Sequence, residues 1–122
     1  MTPSILFGTV TFFLITGTFI TAYSQTAEDY YNNGRDKYYL KDYKGAISEY
    51  DKAIILDSTN YQLYNDRGVT KIALHDINGG ILNYNRAIAI NPNIAEIYFN
   101  RGNAFFWDLG DYHHAIKLLK EA

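Results

Sequence analysis

An interval of 34 residues organises most of this sequence. A glycine and a tyrosine both recur at that interval. The positions are Gly34, Gly68 and Gly102 and, four residues before each of them, Tyr30, Tyr64 and Tyr98. Self-similarity at such a period is typical of repeat proteins, in which each repeat is one supersecondary unit stacked on its neighbours. The sequence therefore predicts three repeats, at 27–60, 61–94 and 95–122.

Each repeat is predicted to contain two helices. Apolar residues recur at spacings of three and four, which is the period of one helix face. In the first repeat these are Tyr30, Tyr31, Tyr38 and Tyr39, followed by Ala46, Ile47, Tyr50, Ala53 and Ile54. We predict helices at 27–40, 43–56, 61–74, 77–90, 95–108 and 112–122. Pro92 ends the fourth, because proline lacks a backbone donor and restricts the residue before it.

The predicted fold is an all-α solenoid of three antiparallel helix pairs, with the third pair truncated at Ala122. Glycine inside a helix costs about 1 kcal/mol relative to alanine. Three glycines at one register therefore predict that a neighbouring backbone comes too close there for a side chain. Ala53 and Ala87 are predicted to serve the partner helix in the same way.

These recurring residues resemble the tetratricopeptide repeat family over residues 27–122. The residues that carry the resemblance are Tyr30, Gly34, Ala46, Tyr50 and Ala53, then Tyr64, Gly68, Gly80, Tyr84, Ala87 and Pro92, then Tyr98, Gly102, Phe105 and Ala115. Two positions depart from the family pattern. Ser58 stands where proline is usual, and the segment 109–112 is one residue longer than the turn at 41–43. The resemblance implies a non-catalytic scaffold that binds a protein or peptide, without identifying the partner.

In this family the first helix of each repeat lines a concave groove. The resemblance places nine residues there: Tyr31, Arg35, Tyr38, Asn65, Val69, Ile72, Phe99, Asn103 and Phe106. Rings, amides and a guanidinium suit an extended or helical peptide. Two alternatives remain open at this point: the rings pack between repeats, or the convex face binds the partner. Chaperone-binding members use a Lys and Asn set to hold a carboxylate, and Asn103 alone does not rebuild that set.

Residues 1–24 are predicted to form a helical signal peptide. No charged side chain occurs in residues 1–27, and the apolar run at 5–20 has 16 residues. A helix of that length spans about 24 Å, less than the hydrocarbon layer of about 30 Å. Small residues favour cleavage between Ser24 and Gln25. The alternative is an uncleaved anchor at 5–23, which would be the only membrane contact. In either case we expect the repeats to lie outside the cytoplasm, in the periplasm, at the cell surface or secreted.

The composition argues against several other classes of function. The net charge is −2, with both signs interspersed, so no basic stripe for nucleic acid is expected. The chain has no cysteine, and His113 and His114 are adjacent, so that they point about 100° apart on a helix. We therefore predict no metal site, no cofactor and no enzymatic activity. The second hypothesis is an assembly subunit that self-associates or docks through Ile116, Leu118 and Leu119 of its uncapped last helix.

Overall fold

A computed structural model of the chain describes residues 9–13 and 19–121. Two strands precede five helices. The elements are β1 (Thr9–Phe13), β2 (Phe19–Tyr23), α1 (Ala27–Tyr39), α2 (Tyr43–Leu56), α3 (Tyr61–Ala73), α4 (Ile77–Ile90) and α5 (Ala95–Glu121). The first four helices lie within one residue of the predicted bounds. They form two consecutive helix pairs, α1 with α2 and α3 with α4, as the repeat predicts.

Side chains next to the helices fix where they begin. At α1 a capping box joins Thr26 and Asp29, since each side chain accepts a hydrogen bond from the other residue's backbone N–H. Asp42 caps α2 by accepting from the N–H of Gly45 at 3.0 Å. Asp76 caps α4 in the same way. The repeated Asp therefore marks the start of each second helix.

The turn inside each pair depends on one residue with a left-handed backbone. Lys41 and His75 each have φ of 62°. In the first turn the N–H of Lys41 donates to the carbonyl of Tyr38, and the N–H of Asp42 donates to that of Lys37, both at 2.9 Å. This arrangement closes the C-terminus of α1 and redirects the chain into α2.

The core runs without interruption from one helix pair to the next. Ala46, Tyr50, Ala53 and Leu63 form one buried cluster, in which the α2 residues meet α3. A second cluster joins α3 and α4 to Ile97 and Ala104 of α5. Each helix therefore contacts the next along the chain. This confirms the helical solenoid, in which stability comes from stacking neighbours.

Tyrosine rings, rather than the predicted backbone, explain the glycines at the first two registers. A Cβ added to Gly34 would lie 2.5 Å from Cε1 of Tyr50, and one added to Gly68 would lie 2.8 Å from Cε1 of Tyr84. These tyrosines are only 1% and 2% exposed. At Gly102 nothing lies within 4 Å of the added Cβ. Gly102 therefore occupies the equivalent sequence position, but no tyrosine ring packs against it.

The predicted third helix pair is a single continuous helix. Residues 109–112 were expected to turn, but α5 continues through them for 27 residues. No proline occurs there, and glycine accepts helical backbone angles at a cost of about 1 kcal/mol. A turn would also leave the backbone groups at two new helix ends without partners. The helix therefore continues unless packing of its second half enforces a bend.

The N-terminal segment also differs from the prediction. Instead of a signal helix, its described residues form an antiparallel pair of strands, with Thr9 opposite Tyr23 and Phe13 opposite Phe19. Threonine, valine, isoleucine and aromatic residues favour extended backbone, which accounts for the strands. The other residues of the predicted signal segment before Tyr23 lie outside the described part of the chain. Among the described helices, none has the length and apolar character needed to cross a bilayer.

Candidate peptide-binding groove

The first helices of the repeats, α1, α3 and the N-terminal half of α5, are linked along one face by a repeated hydrogen bond. The Tyr31 hydroxyl donates to Oδ2 of Asp66 at 2.7 Å. One repeat later, Nδ2 of Asn100 donates to Oδ1 of Asn65 at 3.1 Å. Tyr31 and Asn65 share a register, and so do Asp66 and Asn100. The same pair of positions thus ties each first helix to the next.

A cavity of about 170 Å³ opens on this face between α1 and α3. Four of its lining residues were predicted for the groove: Arg35, Tyr38, Asn65 and Val69. Four others complete it: Tyr39, Tyr50, Asp66 and Glu96. The rings of Tyr38 and Tyr43 lie 5.4 Å apart, so Tyr38 is packed as well as facing the cavity.

A second cavity of about 200 Å³ follows between α3 and α5. Its lining includes the predicted residues Val69, Ile72 and Asn103. It also includes Trp107, which is 60% exposed. Val69 lines both cavities, so they adjoin along the same face. Six of the nine predicted groove residues therefore come together.

The other three predicted residues do not line these cavities. The Tyr31 hydroxyl is engaged with Asp66, and its ring lies 6.1 Å from that of Tyr50. Phe99 and Phe106 are 67% and 71% exposed and line neither cavity. The sequence left open whether the aromatic rings pack between repeats. Among these three residues, Tyr31 does so.

Asn65 lines the first cavity, but both ends of its amide are engaged. Its oxygen accepts from Asn100, and its nitrogen donates to Oδ1 of Asp66 at 3.2 Å. The side chain is buried at 8% exposure. We therefore assign Asn65 to holding the groove together rather than to bonding a peptide. Asn103, on α5, is exposed and lines the second cavity.

The electrostatics of the first cavity are dominated by carboxylates. Burial raises the pKa of Asp66 above its ordinary value, although the hydrogen bonds from Tyr31 and Asn65 oppose this, and Glu96 adds to the rise. Burial, together with the bond to Asp66, also raises the pKa of the Tyr31 hydroxyl. The cavity holds two carboxylates, Asp66 and Glu96, against one guanidinium, Arg35.

The arginines that precede the glycines have structural partners. Arg67 bonds Oδ1 of Asp51 and Oδ1 of Asn83, each at 2.7 Å, and stacks on the ring of Tyr64. Arg101 bonds Oδ1 of Asn85 at 3.0 Å in the corresponding place. These cations therefore join helices on the opposite side from the groove residues. Among the residues that the structure describes, no group of three or more His, Asp or Glu is placed to hold a metal ion.

Comparison with known proteins also indicates tetratricopeptide repeats. The family models described as "TPR repeat" and "Tetratricopeptide repeat" match residues 72–108 and 95–122. A sequence comparison with curated proteins found no match.

Three of the similar solved structures illustrate the fold. The crystal structure of MamA has a TM-score of 0.67 at 25% identity, covering 78% of this chain and 55% of that one. The first TPR of Spaghetti (RPAP3) bound to the HSP90 peptide SRMEEVD scores 0.65 at 28% identity, covering 68% and 66%. The N-terminal domain of stress-induced protein-1 (STI-1) from C. elegans scores 0.61 at 27% identity, covering 65% and 68%. The chain thus spans between about half and two thirds of the length of these structures.

The spacing of glycine and tyrosine, the antiparallel helix pairs and these matches agree with one another. These matches support the resemblance seen in the sequence: residues 72–122 match tetratricopeptide repeat models, and the helix pairs have the fold of solved tetratricopeptide repeat structures.

Proposed function

We propose that this chain is a peptide-binding scaffold that works outside the cytoplasm, with the ligand lying along the face formed by α1, α3 and α5. The observation that carries the proposal is the pair of adjoining cavities that share Val69. An extended peptide places successive side chains on a surface of this kind, while exposed amides such as Asn103 bond its backbone. Similarity to a structure that contains a bound peptide supports the same use of the fold.

The charge of the first cavity indicates which peptides do not bind. Asp66 and Glu96 would lie close to any carboxylate placed there, and only Arg35 opposes them. Like charges at short range are unfavourable, especially where one of them is partly buried. We therefore expect an acidic peptide such as SRMEEVD, which the similar Spaghetti domain binds, to bind this chain weakly. That peptide is a useful negative control.

A random peptide library displayed on phage, screened against the full-length chain, tests this proposal. Enriched peptides would be synthesised and titrated while the fluorescence of Trp107 is followed, because this single tryptophan lines the second cavity. We expect a saturable change in emission. We also expect Asn103→Ala to weaken binding about fivefold or more, since it removes a hydrogen bond worth about 1 kcal/mol.

A convex-face variant provides the matched control. Ile55 is 83% exposed on α2 and lines neither groove cavity, so Ile55→Ala should leave affinity unchanged. If Ile55→Ala weakens binding and Asn103→Ala does not, the ligand lies on the convex face and the groove assignment is wrong.

Export is supported by the uncharged N-terminal segment and by where the repeats begin. Cleavage between Ser24 and Gln25 would leave intact the capping box of Thr26 and Asp29, so α1 would keep its N-terminal stabilisation. Mass spectrometry of the chain after expression in a secreting host tests this point. We expect a mature N-terminus at Gln25. Retention of the full chain in the membrane fraction would favour the alternative anchor at 5–23.

Self-association through α5 is the second candidate function. Its support is the apolar surface of this helix. Phe99, Phe105, Phe106, Trp107 and Leu119 are each more than half exposed. Exposed apolar surface of this kind is typical of protein contacts.

A further inference from the structure

Gly102 lies where a tyrosine packs against the corresponding glycines of the first two repeats, but no side chain packs against it. At the same register, Gly34 and Gly68 receive the rings of Tyr50 and Tyr84, and both rings are buried. Gly102 has the sequence register but no neighbour within 4 Å. A helix that carries a large apolar side chain at the right position would complete this site as it is completed twice elsewhere in the molecule.

The second half of α5 carries that side chain. With the one-residue insertion at 109–112, the register of Tyr84 falls on Leu119, 35 positions later. Tyr84 is 2% exposed, whereas Leu119 is 76% exposed. Because α5 is one continuous helix, Leu119 lies 17 residues beyond Gly102 along it, about 25 Å away at 1.5 Å per residue. In this conformation Leu119 cannot reach the Gly102 of its own chain.

We propose that two copies of the chain pair their α5 helices antiparallel, each placing Leu119 on the Gly102 of the other. The proposal rests on the second candidate function, self-association through α5, and specifies its geometry. In an antiparallel pair with Gly102 opposite Leu119, Leu119 is automatically opposite Gly102 as well. The same surface is therefore used twice, as a two-fold symmetric dimer requires.

The two-fold axis of this pairing passes between positions 110 and 111. Leu119, which is 76% exposed in one copy, would be buried in the pair at a position whose counterparts, Tyr50 and Tyr84, are buried within the repeats.

A disulfide trap tests this geometry, and the absence of native cysteine makes it specific. Full-length chains carrying Gly102→Cys and Leu119→Cys would be mixed and oxidised. We expect a covalent dimer that contains one chain of each variant, because a disulfide requires Cα atoms within about 7 Å. Neither variant alone should form it, since like positions lie about 25 Å apart in the pair.

Lys117→Cys mixed with Gly102→Cys is the matched control. Lys117 has the register of Leu82, which is 68% exposed on α4, so it should face away from the partner and fail to cross-link. A single chain carrying both Gly102→Cys and Leu119→Cys should also give a covalent dimer. An intrachain disulfide in that double variant would overturn the proposal, because α5 would then bend near Gly110 and close on itself.

Light scattering after size-exclusion chromatography distinguishes self-association in general from this specific pairing of the α5 helices. We expect twice the monomer mass for the unmodified chain. Leu119→Glu should weaken association at least about tenfold, because it buries a carboxylate without a partner, and Lys117→Glu should have little effect. A monomer at every concentration would refute both self-association and the α5 pairing. A dimer without the cross-link between 102 and 119 would refute only the pairing, and peptide binding in the groove is independent of either result.

Discussion

Replacing the repeated glycines by alanine measures how much of the fold depends on the tyrosine contacts. Gly34, Gly68 and Gly102 occupy equivalent positions in the three repeats but have different surroundings. A Cβ at Gly34 would lie 2.5 Å and 2.7 Å from two ring carbons of Tyr50, and one at Gly68 would lie 2.8 Å and 3.0 Å from the same atoms of Tyr84. One at Gly102 meets nothing within 4 Å. Gly102→Ala is therefore the internal control for the other two substitutions.

The expected magnitudes follow from two opposing effects. Alanine is favoured over glycine inside a helix by about 1 kcal/mol, and this gain applies at all three positions. Carbon atoms in contact normally lie about 3.5–4.0 Å apart, so the Tyr50 ring would have to move by about 1 Å. Tyr50 is 1% exposed, and overpacking a site of this kind costs about 1–3 kcal/mol.

We therefore expect Gly34→Ala to lower the free energy of unfolding by up to about 2 kcal/mol, and Gly68→Ala to lower it by less. Gly102→Ala should raise it by about 0.5–1 kcal/mol. Urea unfolding followed by far-UV circular dichroism, at low protein concentration so that association does not contribute, gives all three values. If Gly34→Ala stabilises the chain as much as Gly102→Ala does, the tyrosine contact does not explain the glycine.

Three further predictions concern the turns, a buried ion pair and the groove. His75→Gly should raise the melting temperature through a gain of about 1 kcal/mol, because His75 has φ of 62°, a conformation that is unfavourable for any residue with a Cβ; a lower melting temperature would contradict this. Burial alone would raise the pKa of Glu49, but hydrogen bonds from Lys37 and Lys52 outweigh it and lower the pKa below the ordinary 4.5. The stabilisation is therefore present above about pH 4.5 and is lost as pH falls through the lower folded pKa. Glu49→Gln should cost about 0.5–1 kcal/mol at pH 7 and progressively less in acid, and an equal loss at both pH values in urea unfolding would argue against the ion pairs. The pKa of Asp66 is raised above its ordinary 3.8, so its ionised form opposes folding at neutral pH. The penalty decreases as pH falls through the folded pKa and is absent below the ordinary value. Asp66→Asn should therefore stabilise the chain modestly at pH 7, by up to about 1 kcal/mol, and a destabilised variant in thermal melts would show that the carboxylate contributes more through the Tyr31 hydrogen bond.

The groove was only partly predictable from the sequence. The repeat register placed Arg35, Val69 and Asn103 on the face where the two cavities open, because equivalent positions of stacked helices point the same way. It could not show that Tyr31 is engaged with Asp66, since that bond joins residues 35 positions apart in different repeats. Trp107 was not among the predicted groove residues, because its equivalent in the second repeat is Ala73. Its equivalent in the first repeat, Tyr39, is aromatic and lines the first cavity.

The two ends of the chain show where local pattern is insufficient. The segment 109–112 resembles the earlier turns, yet the helix runs through it. A turn of this type is stabilised by the packing of the helix that follows it, and that packing is absent around Gly102. In the N-terminal segment, the prediction of a helix relied on length and apolar character, whereas β-branched and aromatic residues favoured the strands Thr9–Phe13 and Phe19–Tyr23.

The sequence by itself determined the class of fold, the bounds of the first four helices and the face on which a groove forms. These features could be predicted because helical periodicity and the small residues at a fixed interval are local properties that recur in every repeat. Only the tertiary structure decided what fills the space above each glycine, which groove side chains are already hydrogen-bonded, and whether the last helix bends. These depend on contacts between residues distant in sequence, such as Tyr50 on Gly34, and on the lack of such a contact at Gly102.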